Sequence, residues 1–329
     1  MTEAYFLWPE SSVLRALVSA PRLMSVETIE EKLRGMFPTG YPVLCSSGRA
    51  ALVIALLESE VSRGDLVGVF PYASHCVLDA VSRVATPLSG PTAVAVALRV
   101  VYHQWGFVQE TDLSKNTIED CVDTLCVPGA EIFPGGGRFE IWSLPKILGT
   151  TSGAVLWCRD SETAAKIRCF RDERGGGLLP WGIRLLAKWY PRAHLYWQGA
   201  EGDMGRVSRL QTGEILAAVL NWDEFVSDRL KKINTIWPYS VDWLQKPVDR
   251  LPPVVPVQLE LPERIAKDLG ISSGYRLFER LNSSGSRSLE KVLPVPIHQD
   301  VTESWLTGIL KRISDEKAAP YDKNVHRLC

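Results

Sequence analysis

The chain has 329 residues, 46% of them hydrophobic and 23% charged, an ordinary globular composition long enough that two closely packed lobes are expected. A net charge of -1 and a pI near 6.5 exclude a global pull toward nucleic acid. The Met1-Thr2-Glu3 start lacks a basic leader and no apolar run reaches spanning length, so the expectation is a cytoplasmic protein. Seven scattered cysteines and five histidines show no zinc spacing; reduced thiols and no metal are expected.

In chain order, short apolar runs alternate with helical stretches, the pattern of a parallel sheet flanked by helices. Strands are predicted at 41–45, 67–70, 93–101, 117–120, 139–142 and 153–157, and helices at 48–60 and 72–84. Lys146 falls in the connection between the last two strands. Pro134-Gly135-Gly136-Gly137 and Gly175-Gly176-Gly177 read as turn punctuation. From 209 to about 244 the pattern is long and helical. Leu251-Pro252-Pro253-Val254-Val255-Pro256 then reads as a stiff connector, because proline is kept out of central strands. Residues 262–280 and 304–313 suggest helices on a few short strands, and the last dozen residues a frayed end.

Three places carry candidate chemistry. Ser46-Ser47-Gly48-Arg49 follows a strand and opens a helix, which fits an anion cradle at a positive helix end and equally an N-capping serine with a glycine turn. Asp120 ends an apolar strand, where α/β proteins place ligand groups; a turn or capping aspartate is the structural alternative. Lys146 lies in an apolar run, and desolvation there lowers an amine's pKa, as attack on a carbonyl requires. His75, after Pro71-Tyr72 at a helix start, fits a ring-covering residue or a histidine that simply belongs to the fold. His103, in Tyr102-His103-Gln104-Trp105-Gly106, ends a strand and is a candidate lining residue of the same crevice. No GxGxxG or Walker sequence occurs, so nucleotide cofactors lack support. In chain order, a phosphate cradle, a carboxylate and an amine suit pyridoxal phosphate (PLP).

These segments resemble the DegT/DnrJ/StrS sugar aminotransferases, a branch of the fold-type I PLP enzymes. Ser47-Gly48-Arg49-Ala50-Ala51-Leu52 is similar to that family's Ser-Gly-Thr-x-Ala-Leu turn, and Ile118-Glu119-Asp120-Cys121 to its Ile-Glu-Asp-Ala. Gly64-Asp65-Leu66-Val67 with Phe70-Pro71-Tyr72 resembles its Gly-Asp-Glu-Val and Pro-Pro-Tyr strand. Lys146-Ile147-Leu148-Gly149 with Gly153-Ala154-Val155 resembles the region of the Schiff-base lysine. Arg206-Val207-Ser208-Arg209-Leu210-Gln211 and Leu293-Pro294-Val295-Pro296-Ile297-His298 resemble later motifs.

The resemblance implies a large cofactor-binding α/β domain with an N-terminal arm (1–208), its mainly parallel sheet flanked by helices, and a smaller C-terminal α+β domain (209–329). It implies PLP on Lys146, with Asp120 at the ring nitrogen. Ser47, Gly48 and Arg49 would hold the phosphate, with Ser74, His75, Asp123 and Ser143 as further cofactor contacts. His103 and Arg206 would touch substrate. The implied reaction moves an amino group from an amino acid such as glutamate to a nucleotide-linked keto sugar, in surface-polysaccharide or secondary-metabolite biosynthesis, within a homodimer. Departures from the pattern leave a second reading, a relative that binds a sugar nucleotide or a partner enzyme without transamination. They are Ser74 at the stacking position, Ile141 where a phosphate-holding serine is usual, Asp123 in place of Gln or His, and Met204 in place of a partner-facing asparagine. A dehydratase would replace Lys146 with histidine. Between 178 and 197, Trp181, Leu185 and Trp189 run beside Arg184, Lys188 and Arg192. That stripe suits a helix packed on the core, or a surface meeting anionic lipid headgroups or a lipid-linked sugar phosphate.

Overall fold

The computed structural model describes residues 5–12, 14, 18, 25–89, 94–108, 116–174, 182, 186, 190, 192, 202, 205–259, 271, 274–281 and 287–318. Trp181, Arg184, Leu185, Lys188, Trp189 and Met204 lie outside these residues. No helix among the described residues is long and apolar enough to cross a membrane.

The strands are β1 (Tyr41–Cys45), β2 (Leu66–Val69), β3 (Thr86–Ser89), β4 (Leu98–Tyr102), β5 (Thr117–Asp120), β6 (Leu125–Cys126), β7 (Phe139–Ser143), β8 (Ala154–Cys158), β9 (Arg250–Leu251), β10 (Val254–Val257), β11 (Arg276–Leu281) and β12 (Arg287–Pro296). The helices are α1 (Val26–Met36), α2 (Gly48–Glu58), α3 (His75–Ser82), α4 (Leu144–Leu148), α5 (Ser161–Glu173), α6 (Arg209–Leu220), α7 (Trp222–Ile236) and α8 (Glu303–Ala318). Lys146 therefore stands on a short helix rather than in a plain connection. The helix predicted from 72 begins only at His75, where Ser74 takes the extended conformation of an N-cap.

The chain forms two compact units. The larger comprises Trp8–Ser227 and Pro247–Pro253, the smaller Met1–Leu7, Asp228–Lys246 and Val254–Cys329. This division differs from a boundary at 208/209 because the segment after 208 is bonded into the larger unit. The Glu214 carboxylate accepts from Thr151 N at 2.9 Å, and the Trp222 indole donates to Cys126 O at 2.8 Å.

The larger unit is built on a seven-stranded sheet of order β1-β8-β7-β5-β4-β2-β3. Strand β8 pairs antiparallel with both β1 and β7, and the remaining pairs are parallel, so six strands share one direction. Helix α2 is apolar nearly all round and buried from Arg49 to Leu56, as a helix wedged into a core must be. A second packing centre joins Phe37, Trp142, Trp157 and Trp222, with Trp142 centroids 5.0 Å from both Phe37 and Trp157. Burying each of these rings contributes roughly 1.5–3 kcal/mol. The buried Glu30 carboxylate ties α1 to β1 and α5, accepting from Leu44 N at 2.8 Å and from Arg171 and Arg168.

The smaller unit holds an antiparallel sheet of order β10-β12-β11 and helix α8. Val254–Val257 is a strand rather than a connector; it sits at a sheet edge, where Pro256 removes no inner ladder bond. Arg276–Leu281, all but its last residue inside the 262–280 stretch expected to be helical, is a strand paired along its length with β12, and Phe278 is buried while Leu277 is exposed. The N-terminal residues join this unit: Tyr5 meets the Trp305 ring edge-on at 4.7 Å, and His298 Nε2 lies 3.0 Å from Phe6 O.

Candidate active site

Because the parallel strands share a direction, their carboxyl ends gather Ser46–Gly48 after β1, Asp120 at the end of β5, and Ser143 at the end of β7 with Lys146 just beyond it. Ligands of open α/β sheets bind at this edge. A cavity of about 440 Å3 opens there, within the usual size range of small-molecule sites. Its wall includes Ser47, Gly48, Arg49, Ser74, His75, Asp120, Ser143 and Lys146. Eight of the residues singled out in the sequence thus share one wall. His103 and Arg206 are not among the lining residues. His103 is fully buried, with Nε2 2.8 Å from Glu119 Oε2, and Arg206 lies 3.9 Å from Asp172. Asp123 is also fully buried and touches Lys146 rather than forming part of the wall.

Helix α4 explains how Lys146 is held. Pro145 suits a first helical turn that needs no N–H, and Gly149 closes the helix in the left-handed conformation (φ 72°). Lys146 Nζ lies 3.0 Å from Asp123 Oδ1 and 4.6 Å from the centre of the Trp8 ring. Burial disfavours the ammonium, but the carboxylates of Asp123 and Asp120 outweigh it, so the pKa of Lys146 is raised. This reverses the lowered value expected from its apolar sequence neighbours, which carry the desolvation but not the two acids folded against it.

Asp120 is 6% exposed and accepts from Val122 N at 3.3 Å. Burial pushes its carboxyl up to about 7, with Asp123 adding to the rise and Lys146 opposing it. One lysine faces two acids, so the wall lacks one positive charge, and a protonated ring nitrogen would supply it.

Ser47 caps α2, its Oγ accepting from Ala50 N at 3.0 Å, and also lines the cavity, so the capping and cradle readings coexist. The Arg49 guanidinium turns to Asp79 (3.4 Å) and Cys76 Sγ (3.1 Å), which offsets its charge locally. Ser74 and His75 start α3 on the same wall, with His75 Nε2 3.4 Å from Cys76 Sγ.

Sequence reasoning missed Trp8, Ser11, Cys76 and Ser152, all on the wall. Ser152 is 7% exposed, and its Oγ has no partner among the described residues, an orphaned hydroxyl that a phosphate oxygen would satisfy. Gly153 beside it has φ 101°, and a Cβ there would come within 2.8 Å of Ile215. Only glycine fits. The donor set thus suits PLP: a primary amine, an acid short of a cation, two helix N-termini and several hydroxyls.

This is the fold of the PLP aminotransferases. The chain spans 94% of its length and 95% of the other chain in a match to DesV of S. venezuelae (17% identity, TM-score 0.64). Sugar aminotransferase CalS13 from Micromonospora echinospora matches with 16% identity, coverage of 94% and 99%, and TM-score 0.61. A DegT DnrJ EryC1 StrS aminotransferase from Brucella abortus matches with 12% identity, coverage of 93% and 96%, and TM-score 0.57. At such identities the likeness establishes the fold. No match was found among curated proteins. A family model described as "Putative PLP-dependent aminotransferase" matches residues 29–315, and the chain belongs to that family.

Proposed function

We propose that this PLP-dependent aminotransferase transfers an amino group from an amino acid, with glutamate the first donor to try, to a nucleotide-linked keto sugar. The observation that carries the reading is one cavity bringing together Lys146, Asp120 and the Ser47–Gly48 start of α2. The sugar assignment is supported by the Ser47–Leu52, Ile118–Cys121 and Lys146–Gly149 motifs and by the shared fold of sugar aminotransferases. The resemblance to the DegT/DnrJ/StrS sugar aminotransferases supports a homodimer.

When bound, PLP supplies an aldehyde that condenses with primary amines and a ring that withdraws electrons from the attached carbon. Ser47, Gly48 and the backbone of Arg49 would hold its phosphate at the positive end of α2, helped by Ser143 and Ser152, while the Arg49 guanidinium is engaged by Asp79. Asp120 would hold the ring nitrogen, whose proton would supply the missing positive charge. His75 would cover one ring face. Lys146 Nζ, the primary amine on the cavity wall, would be the group that holds the aldehyde, and as a free amine it could act as the general base for a substrate proton, a role worth roughly 10²–10⁴-fold in rate.

The test is to add PLP to the purified protein, reduce it with borohydride and map the adduct by peptide mass spectrometry. Cofactor mass on the Lys146 peptide is expected. A protein that PLP cannot colour, with no adduct at Lys146, overturns the reading and favours a binding-only relative. Mass-shift screening of keto-sugar nucleotides with glutamate then identifies the acceptor.

A further inference from the structure

Asp123 stands where the resembled family carries Gln or His, and its surroundings are those of a built ion-pair site. It is fully buried, and its Oδ1 accepts from the Trp8 indole at 3.0 Å and pairs with Lys146 Nζ at 3.0 Å. Its Oδ2 accepts from the Tyr102 hydroxyl. Burial, then Asp123 itself, push the Tyr102 phenol pKa well above its ordinary value, so that hydroxyl stays a donor. Hydrogen bonds to a carboxylate are stronger than those between neutral groups, and here three arrive from three parts of the chain.

We propose that Asp123 is a positioning residue that holds Lys146 as an ammonium against the cavity wall, clamped in place by Trp8 and Tyr102. This rests on Lys146 being the attachment amine. It divides the labour of two neighbouring acids: Asp123 is committed to the lysine, which leaves Asp120 for the ligand. The amine reacts only after losing its proton, so Asp123 sets the pH at which Lys146 becomes available. It also receives the ammonium each time Lys146 Nζ has taken up a proton. The other groups that act on Lys146 are Asp120 at the end of β5, Cys76 on α3 and the Trp8 ring, while His75 on α3 and Arg49 on α2 (engaged by Asp79) share the cavity wall. Asp120 acts in the same direction as Asp123 but makes no hydrogen bond to Nζ among the described contacts, so Asp123 dominates.

The experiment titrates Lys146 in the cofactor-free, full-length chain. Trace acetic anhydride labelling is followed across pH by peptide mass spectrometry, with exposed Lys166 as internal reference. In the wild type Lys146 is expected to titrate at or above the reference lysine. In Asp123→Asn its labelling rate at pH 8, relative to Lys166, should rise at least about tenfold, the equivalent of one pH unit. An unchanged ratio in the variant overturns the proposal. So does a wild-type Lys146 that titrates below the reference, a result that needs no folded variant. Borohydride mapping of the PLP-loaded wild type runs in parallel. No adduct at Lys146 sinks the cofactor reading while the titration still judges Asp123; an adduct with an unchanged titration ratio sinks only Asp123's role.

Discussion

The Glu140–Arg250 pair and the Lys146–Asp123–Asp120 group both bury carboxylates in the larger unit, yet they are wired differently. Glu140 accepts from the Trp142 indole, the Arg250 guanidinium and Phe133 N at 2.6 Å, so both its oxygens are used. Arg250 also donates to Glu131 O at 2.9 Å, and no residue of this pair borders the cavity. The second group has one cation for two acids and opens onto the cavity through Lys146, whose side chain is 33% exposed, and through Asp120. A buried acid whose oxygens are all used ties elements together. An acid left short of a cation beside a cavity is poised for a ligand.

Breaking each group should therefore fail differently. Lys146→Ala is expected to lower transamination by at least ~10³-fold. Its fold should survive, because Asp123 keeps its donors Trp8 and Tyr102. Steady-state assays with far-UV circular dichroism as a folding control check this, and retention of more than a tenth of wild-type activity contradicts it. Arg250→Ala does the reverse. Glu140 keeps the Trp142 indole and Phe133 N but, buried away from the cavity and its solvent, loses its cation, and denaturant unfolding should show a loss of about 3–5 kcal/mol. Lys146 titration in the folded fraction should stay as in the wild type. A stability change below about 1 kcal/mol would remove the distinction between the two groups.

The contrast also marks what was legible in the sequence. Ser47–Gly48, Asp120 and Lys146 were readable because each sits where an apolar strand ends and the periodicity breaks, and a parallel sheet carries such ends to one edge. The direction of the Lys146 pKa was not, because local neighbours show the desolvation while Asp123 arrives from a turn far away in sequence. Trp8 and Ser152 were invisible for the same reason: each reaches the wall through tertiary packing and carries no pattern of its own. His103 looked like a crevice residue but faces Glu119, whose carboxylate also accepts from Gly135 N and Gly137 N. The glycine turn thus has a structural use, since a Cβ at Gly137 would come within 2.7 Å of Glu119. Arg276–Leu281 is a six-residue run too short for periodicity to separate helix from strand, and pairing with β12 decides it.

Asp120 sharpens the comparison through pH. Its folded carboxyl, raised from 3.8 to about 7, holds a proton that the unfolded chain releases. The cofactor-free protein should accordingly lose stability as pH rises from about 4 to 7, with no further loss from this group above that. The rise corresponds to an upper bound of roughly 4 kcal/mol, and the realised effect should be smaller. Asp120→Asn should remove the slope, so the variant gains on the wild type across this range in urea unfolding at successive pH values. The raised Lys146 pKa leaves that window untouched, because its contribution is lost only at alkaline pH. Saturating PLP should flatten the wild-type slope as well, by favouring the folded carboxylate. Parallel pH profiles for wild type and variant would show that Asp120 is not the strained acid.

The smallest effect expected is at Ser152, and it tests whether the wall has replaced what it lacks. Ile141, with no hydroxyl, lines the cavity where the family pattern has a phosphate-holding serine, while Ser152 presents an unpartnered buried hydroxyl to the same space. If Ser152 supplies the missing donor, Ser152→Ala should weaken PLP binding about five- to tenfold, the equivalent of about 1–1.4 kcal/mol. Removing an unsatisfied hydroxyl should leave cofactor-free stability unchanged or slightly higher, so the two readouts move in opposite directions. Absorbance titration of the cofactor-free chain with PLP, beside urea unfolding, measures both. Equal affinities for wild type and variant would mean that this hydroxyl does not reach the ligand, and the grip would then rest on Ser47, Gly48 and Ser143.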